Sequence, residues 1–141
     1  MFMVACHAKS AIFKRMEGKI MTDEVTRHFS GAPWETKVGY CRALRVGNQI
    51  YVTGTAPVDA EGKVMFPDDA YQQARRCLEI IDQAVHSLAV GTTTVVRTRM
   101  YVTNIDQWPQ IGDAHREWFK GQPPATPMEE VKRLIAPQMI N

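Results

Sequence analysis

The chain has 141 residues, of which 45% are hydrophobic and 23% charged, a composition typical of one soluble globular domain. Its net charge of +2, from 17 basic and 15 acidic side chains, argues against nucleic acid or an anionic membrane as the main partner. No apolar run is long enough to span a bilayer, and three widely spaced cysteines without a CxxC pair favour a reducing, cytoplasmic location.

The first 22 residues differ in composition from the rest of the chain. They are basic and nearly free of acidic residues, as in a weak organelle-targeting segment, but no regular apolar period predicts a packed element there. We therefore predict a flexible N-terminal extension over residues 1–22 and a single domain over residues 23–141.

The first part of that domain is predicted to contain strands followed by a long helix. The predicted strands cover residues 24–29, 42–46 and 49–54. The last two form a hairpin because Gly47-Asn48 suits a two-residue turn, and residues 30–35 are predicted to be a loop. From Asp68 to Val90 apolar residues recur at helical spacing, and Gln73 falls on the opposite, exposed face.

A second unit follows, with predicted strands at residues 94–103 and 128–135. Between them a helix is predicted from a capping Asp106 to about Lys120. The first of these strands alternates, and one face carries Arg97, Arg99 and Tyr101. The element order predicts an α+β domain in which two helices pack on one face of a mixed sheet.

No short motif defines a nucleotide, metal or hydrolase site. The chain has no HExxH, P-loop or GxGxxG motif, and its four histidines lack metal-ligand spacing. His115 lies on the apolar stripe of its helix and is predicted to be a packed core residue. Glu129 and Glu130 point to opposite sides of a strand, so they cannot act as a paired acid and base. We expect neither a metal nor a cofactor.

Three segments have the order and spacing of one known family. They are GYCRALRVGNQIYVTGT, VVRTRMYVTNIDQW and PPATPMEEVKRL. Over residues 24–140 the chain resembles the YjgF/RidA family of reactive intermediate deaminases, also labelled endoribonuclease L-PSP or translation initiation inhibitor. The resemblance implies a chorismate-mutase-like fold and a homotrimer with a ligand cleft at each subunit interface. Arg97, Arg99 and Tyr101 would then lie between subunits, where arginine can pair or stack.

The resemblance also implies a site. In active members the arginine of a Pro-Ala-Arg loop binds the substrate carboxylate, and a glutamate on the terminal strand holds the water that hydrolyses a 2-imino or enamine acid. Here Thr126 takes the place of that arginine, and a hydroxyl carries no charge. Gly112 falls where the family helix often carries an amide, and the glutamate would fall at or just past Asn141. The implied ligand-binding residues are Tyr40, Thr53, Gly54, Thr55, Arg99, Gly112 and Thr126.

Three functions remain open from the sequence. The first is a trimer that binds a small metabolite, such as a carboxylic or imino acid, without the standard deaminase reaction. The second is an imine or enamine hydrolase with an altered substrate, in which Arg99 or Arg133 would bind the anion. The third is an endoribonuclease or translation inhibitor, against which the near-neutral charge and the lack of basic residues interleaved with aromatics argue.

Overall fold

A computed structural model describes residues 1–8 and 24–140, and for residues 2–8 it describes the backbone alone. The strands in these ranges are β1 (Phe2–Ala8), β2 (Val25–His28), β3 (Ala43–Val46), β4 (Gln49–Thr55), β5 (Thr93–Val102) and β6 (Met128–Glu130). The helices are α1 (Pro33–Val38), α2 (Ala70–Leu88) and α3 (Trp108–Trp118), with a 3-10 turn at Ile105–Gln107 before α3. The strands form one sheet in the order β2-β3-β4-β1-β5-β6.

The sheet is mixed, as predicted. The β5 and β6 strands pair parallel, and the other neighbouring strands pair antiparallel. The β3–β4 hairpin is confirmed, and Gly47 has a φ of +56° in its turn, where glycine has no Cβ to clash. The predicted α+β fold is therefore confirmed.

The core lies between the sheet and the helices. Asp69 caps α2 by accepting a hydrogen bond of 3.0 Å from the backbone N–H of Gln72. The apolar stripe of α2 is buried together with residues of β4, β5 and α3. The fully buried members include Ala74, Cys77, Leu78, Ile50, Val102, Ile111 and Ala114. These contacts fix α2 and α3 on one side of the sheet.

The start of the chain differs from its prediction. Residues Phe2–Ala8 form β1, which pairs with β4 on one edge and β5 on the other, so that Ala5 lies opposite Tyr51 and Arg97. A flexible extension is therefore wrong for this stretch. A strand with neighbours on both edges needs no apolar alternation, so the lack of an apolar period did not exclude a strand here. The remainder of the predicted extension, residues 9–22, lies outside the described residues.

Three local predictions are also corrected. The loop predicted over residues 30–35 is partly helical, because residues 33–38 form α1. Pro33 lies in the first turn of α1, where its missing N–H is not needed. Asp106 is not the cap of α3: Asn104 caps the 3-10 turn that precedes α3, because its side chain accepts a hydrogen bond from the Asp106 N–H at 3.0 Å. The last strand is shorter than predicted, since β6 covers Met128–Glu130.

Gln73 is fully buried and not on an exposed face. Its side-chain amide donates to the carbonyls of Phe66 at 3.1 Å and Gln138 at 2.8 Å, and its oxygen accepts from the Ile140 N–H at 2.8 Å. Helical spacing assigned Gln73 to solvent because two of its backbone partners, in Gln138 and Ile140, are remote in sequence. This one side chain joins α2 to the segment after β6.

Candidate functional site

Arg42 organises the first cluster of predicted site residues. Its Nη1 donates to the carbonyl of Gly54 at 3.2 Å and to the hydroxyl of Thr55 at 3.3 Å, while Nη2 lies 3.5 Å from the Tyr40 hydroxyl. Thr53 joins through its N–H, which donates to the Arg42 carbonyl at 3.0 Å. We call Tyr40, Arg42, Thr53, Gly54 and Thr55 the Arg42 group. The structure thus brings together all four residues predicted from the β3–β4 region.

The guanidinium of Arg42 is buried and only loosely neutralised. The residue is 8% exposed, and its Nε has no hydrogen-bond partner among the residues that the structure describes. A carboxylate oxygen, Glu35 Oε1, lies 3.8 Å from that Nε. The Glu35 carboxylate also accepts hydrogen bonds from Ser30 and Gly31. Burial alone would raise the pKa of Glu35, but these hydrogen bonds and Arg42 outweigh it and lower the pKa. Glu35 is therefore ionised at neutral pH and shared between the loop and Arg42.

Gly54 in the Arg42 group is covered by Met1. A Cβ added at Gly54 would lie 2.6 Å from Met1 Sδ, so the methionine side chain packs directly on the glycine backbone. Met1 is held there by its own backbone, whose carbonyl accepts from the Tyr101 N–H at 3.0 Å. The absence of a side chain at residue 54 is what allows this close approach.

Thr126 lies in a second cluster, on the side of the sheet where the helices pack. Its hydroxyl is 2.7 Å from the hydroxyl of Thr98, which in turn lies 3.0 Å from Nε2 of His115 on α3. The Thr126 hydroxyl also contacts the carbonyl of Pro124 at 3.0 Å. We call Thr98, His115, Pro124 and Thr126 the Thr126 group. It connects a core histidine to an exposed loop residue.

Backbone pairing holds the loop of Thr126 in place. The Thr98 N–H donates to the Ala125 carbonyl and the Ala125 N–H donates to the Val96 carbonyl, both at 3.1 Å. The Met100 N–H donates to the Pro127 carbonyl at 3.1 Å. Because the residues on both sides of Thr126 are paired to β5, the direction of its side chain is largely fixed.

His115 is buried and packs against Phe119, with ring centroids 4.6 Å apart. It is a core residue, as predicted, but it also contacts Thr98. Burial lowers the pKa of His115 because a charged imidazole would lose its hydration there. The histidine is therefore neutral at pH 7.

The burial of His115 predicts a pH dependence of stability. An unfolded histidine has a pKa near 6.5, whereas that of folded His115 is lower, so below about pH 6.5 the unfolded chain binds a proton that the folded chain does not. This contribution to stability is complete above about pH 6.5 and is lost as the pH falls. Urea unfolding at pH 7, 6 and 5 should show a smaller loss for His115→Gln than for the original chain. Equal losses in both proteins would contradict this assignment.

Arg99 and Gly112 lie outside the Thr126 group, Arg99 on β5 and Gly112 on α3. Arg99 follows Thr98 on β5 and is exposed, so its side chain points to the opposite face of the sheet from Thr98. Gly112 lies on α3 one turn before His115, and a Cβ added there would meet Trp108 only at 4.0 Å. Within one chain Arg99 therefore cannot supply a cation on the Thr126 side, while Gly112 leaves room for a side chain.

The Arg42 group and the Thr126 group belong to different parts of the sheet. The first involves β3 and β4, and the second involves β5. The sheet order places β1 between β4 and β5, which separates those strands by roughly 10 Å. In one chain the two clusters therefore lie apart, and we refer to each of them as a candidate half-site.

Arg42 and Thr98 were not among the predicted site residues, and His115 was predicted to be a core residue, but all three lie in the two clusters. Arg42 had a usable signal, since an arginine at the start of a strand, beside Tyr40, is a candidate for a buried cation. For Thr98 and His115 the signal is weaker, because their contact joins a strand and a helix that only the fold brings together.

The described ranges hold no metal site and no membrane-spanning helix. Residues 1–8 and 24–140 contain no group of histidine, cysteine, aspartate or glutamate side chains arranged to hold a metal ion. In the same ranges no helix has the length and apolar character needed to cross a membrane.

Comparison with known proteins identifies the family. The family model for endoribonuclease L-PSP matches residues 31–140. The crystal structure of Rv2704 from Mycobacterium tuberculosis, a member of the YjgF/YER057c/UK114 family, has a TM-score of 0.73 and 38% identity, covering 83% of this chain and 92% of that one. The YjgF gene product of E. coli has a TM-score of 0.65 and 27% identity, with coverage of 82% and 91%. A RutC family protein of Sulfurisphaera tokodaii is 28% identical over 101 residues, covering 72% of this chain and 81% of the relative. The chain therefore belongs to the endoribonuclease L-PSP family, which is the YjgF/RidA family that its sequence resembles.

Proposed function

We propose that the protein is a homotrimer that binds a small metabolite in clefts between subunits and lacks the standard 2-imino acid deaminase reaction. The observation that carries this proposal is the state of Thr126. Its uncharged hydroxyl stands at the position where the resemblance implies an arginine, and it is bonded to Thr98 and the Pro124 carbonyl. A substrate carboxylate would meet no guanidinium fork there.

The separation of the two half-sites supports a cleft between subunits. In a trimer the Arg42 group of one subunit would face the Thr126 group of the next, so that both could contact one ligand. The exposed side chains of Arg97, Arg99 and Tyr51 lie on the other face of the sheet, and the neighbouring subunits would cover them there. Arginine and tyrosine are both enriched in protein interfaces.

Light scattering tests the assembly. We expect a trimer at micromolar concentration, and we expect Arg99→Glu to dissociate it, because carboxylates close to the three-fold axis would repel each other without partners, at a cost of several kcal/mol. Arg116→Glu is the matched control, since Arg116 is on α3, exposed and paired with Asp113 at 2.9 Å. A stable monomer of the original chain would refute the proposed assembly.

An ammonia-release assay tests the proposed loss of deaminase chemistry. We expect little or no activity on 2-aminoacrylate-type imino acids, because losing a hydrogen-bonded charge partner costs about 2–5 kcal/mol, or roughly thirty- to several-thousand-fold. Thr126→Arg should bind a small 2-keto acid more tightly in titration calorimetry. It should not restore full turnover, since Gly112 offers no amide side chain to help hold the attacking water.

Thr126→Met is the control for that experiment. It adds a long side chain without charge, so it should not improve binding of the keto acid. If the original chain deaminates imino acids as fast as arginine-bearing relatives, the interpretation of Thr126 is wrong.

One observation favours the second candidate, an imine or enamine hydrolase with an altered substrate. The guanidinium of Arg42 lies beside Tyr40 and Thr55, so a cation is present in the half-site that lacks Thr126. It could hold an anionic substrate group in place of the loop arginine. Ammonia release that is abolished by Arg42→Gln, with the fold retained, would select this candidate.

The name of the matching family model raises ribonuclease activity as a third candidate. Binding of RNA depends mainly on cationic side chains that neutralise phosphates, and the net charge here is +2. We therefore rank ribonuclease activity below the other two candidates. Salt-dependent binding of RNA would be the result in its favour.

A further inference from the structure

A hydrogen-bonded chain runs from the core to the loop at Thr126. It links His115 Nε2 to the Thr98 hydroxyl over 3.0 Å, Thr98 to the Thr126 hydroxyl over 2.7 Å, and Thr126 to the Pro124 carbonyl over 3.0 Å. Thr98 is 0% exposed and His115 9% exposed, while Thr126 is exposed to solvent. Only the last hydroxyl of this chain is open to a ligand.

Counting protons fixes the direction of the chain. A carbonyl oxygen only accepts and a hydroxyl has one proton, so Thr126 must donate to Pro124. Thr98 must then donate to Thr126, and His115 Nε2–H must donate to Thr98. This is the arrangement in which each of the three contacts holds one proton. Because both neutral and protonated imidazoles can carry Nε2–H, charging His115 does not reverse it.

The direction decides what Thr126 offers to a ligand. Its proton is used by Pro124 and one lone pair by Thr98, so the remaining lone pair is an acceptor. The paired residues Ala125 and Pro127 hold the side chain in this position. A carboxylate, which only accepts, would place oxygen against oxygen, whereas an N–H group would form a hydrogen bond.

We propose that Thr126 selects a ligand group that donates a hydrogen bond, such as an ammonium or amide N–H, in place of the carboxylate expected at this loop. This inference rests on the proposed function, because it takes the Thr126 loop to be part of the ligand cleft. Thr126 is then a specificity-determining residue: it favours a ligand group that donates a hydrogen bond, whereas an arginine at this position would favour one that accepts.

Matched small probes test this preference. The full chain is titrated with propylammonium and with propionate, and binding is followed by NMR through the backbone amide signals of Ala125, Thr126 and Met128, since Pro127 has no N–H. We expect propylammonium to shift these signals with a dissociation constant at least tenfold lower than that of propionate. Thr126→Ser, which keeps the hydroxyl, should retain the preference, and Thr126→Val, which keeps the branched shape, should lose it.

Three results would overturn the inference. They are equal or tighter binding of propionate, an unchanged preference in Thr126→Val, and binding of both probes without any shift at residues 125–128. The proposed trimer is tested separately, because light scattering measures assembly and the NMR titration measures the preference of Thr126. A monomer that still prefers propylammonium at this loop would refute the trimer and leave the preference of Thr126 standing.

Discussion

Replacing Ala5 with proline should lower the melting temperature by roughly 10 °C or more, or prevent folding altogether. Ala5 lies in β1 between Tyr51 of β4 and Arg97 of β5, so it has strand neighbours on both edges. Proline has no N–H to donate and its ring does not fit inside a central strand. We expect a cost of about 3 kcal/mol or more, measured by calorimetry.

Ala60→Pro is the matched control. Ala60 occupies the second position of the turn that Gly62 closes by donating its N–H to the Asp59 carbonyl at 3.2 Å. Proline is favoured at that position of a turn, so the melting temperature should change little. If Ala5→Pro and Ala60→Pro melted together, residues 2–8 would not be part of the sheet.

The second large effect is expected at Gln73. Gln73→Ala should destabilise the protein by about 3 kcal/mol, because it leaves the Phe66 and Gln138 carbonyls and the Ile140 N–H without their partner and opens a cavity. Urea unfolding measures the loss. In Gln73→Ala, hydrogen exchange should accelerate more at the Ile140 amide, which loses its partner, than at the amides of β4.

The neighbouring residue provides the control for Gln73. Gln72 is on the same helix but exposed, so Gln72→Ala removes the same atoms from a solvated position and should change stability by less than about 0.5 kcal/mol. Similar losses for Gln72→Ala and Gln73→Ala would show that helix propensity, and not the buried amide, sets the cost.

The parts of the fold that the sequence predicted are those set by local pattern. Gly47-Asn48 predicted the hairpin, and the apolar period within Asp68–Val90 predicted α2. The alternation of β5 correctly separated Thr98, Met100 and Val102, which are buried, from exposed Arg97 and Arg99.

The parts that it did not predict depend on partners far away in the chain. Gln73 is buried because Gln138 and Ile140 come to it, some 65 residues later. Residues 2–8 form a strand because β4 and β5 leave a space of one strand between them. In the same way, the resemblance named Thr126 and Tyr40, but the roles of His115 and Arg42 follow from contacts between elements.

The position of β1 has a consequence for how the chain folds. In the sheet, β2, β3 and β4 form one set of neighbours and β5 and β6 another, and β1 is the strand that joins the two sets. Each set is built from comparatively local pairings, whereas β1 must close loops to residues 49–55 and 93–102. Long loops are closed at an entropic cost before their contacts form, so this step is expected to be late and slow. Until it occurs, β4 and β5 each expose an unpaired edge, and the folding chain is then most open to pairing with another copy of itself.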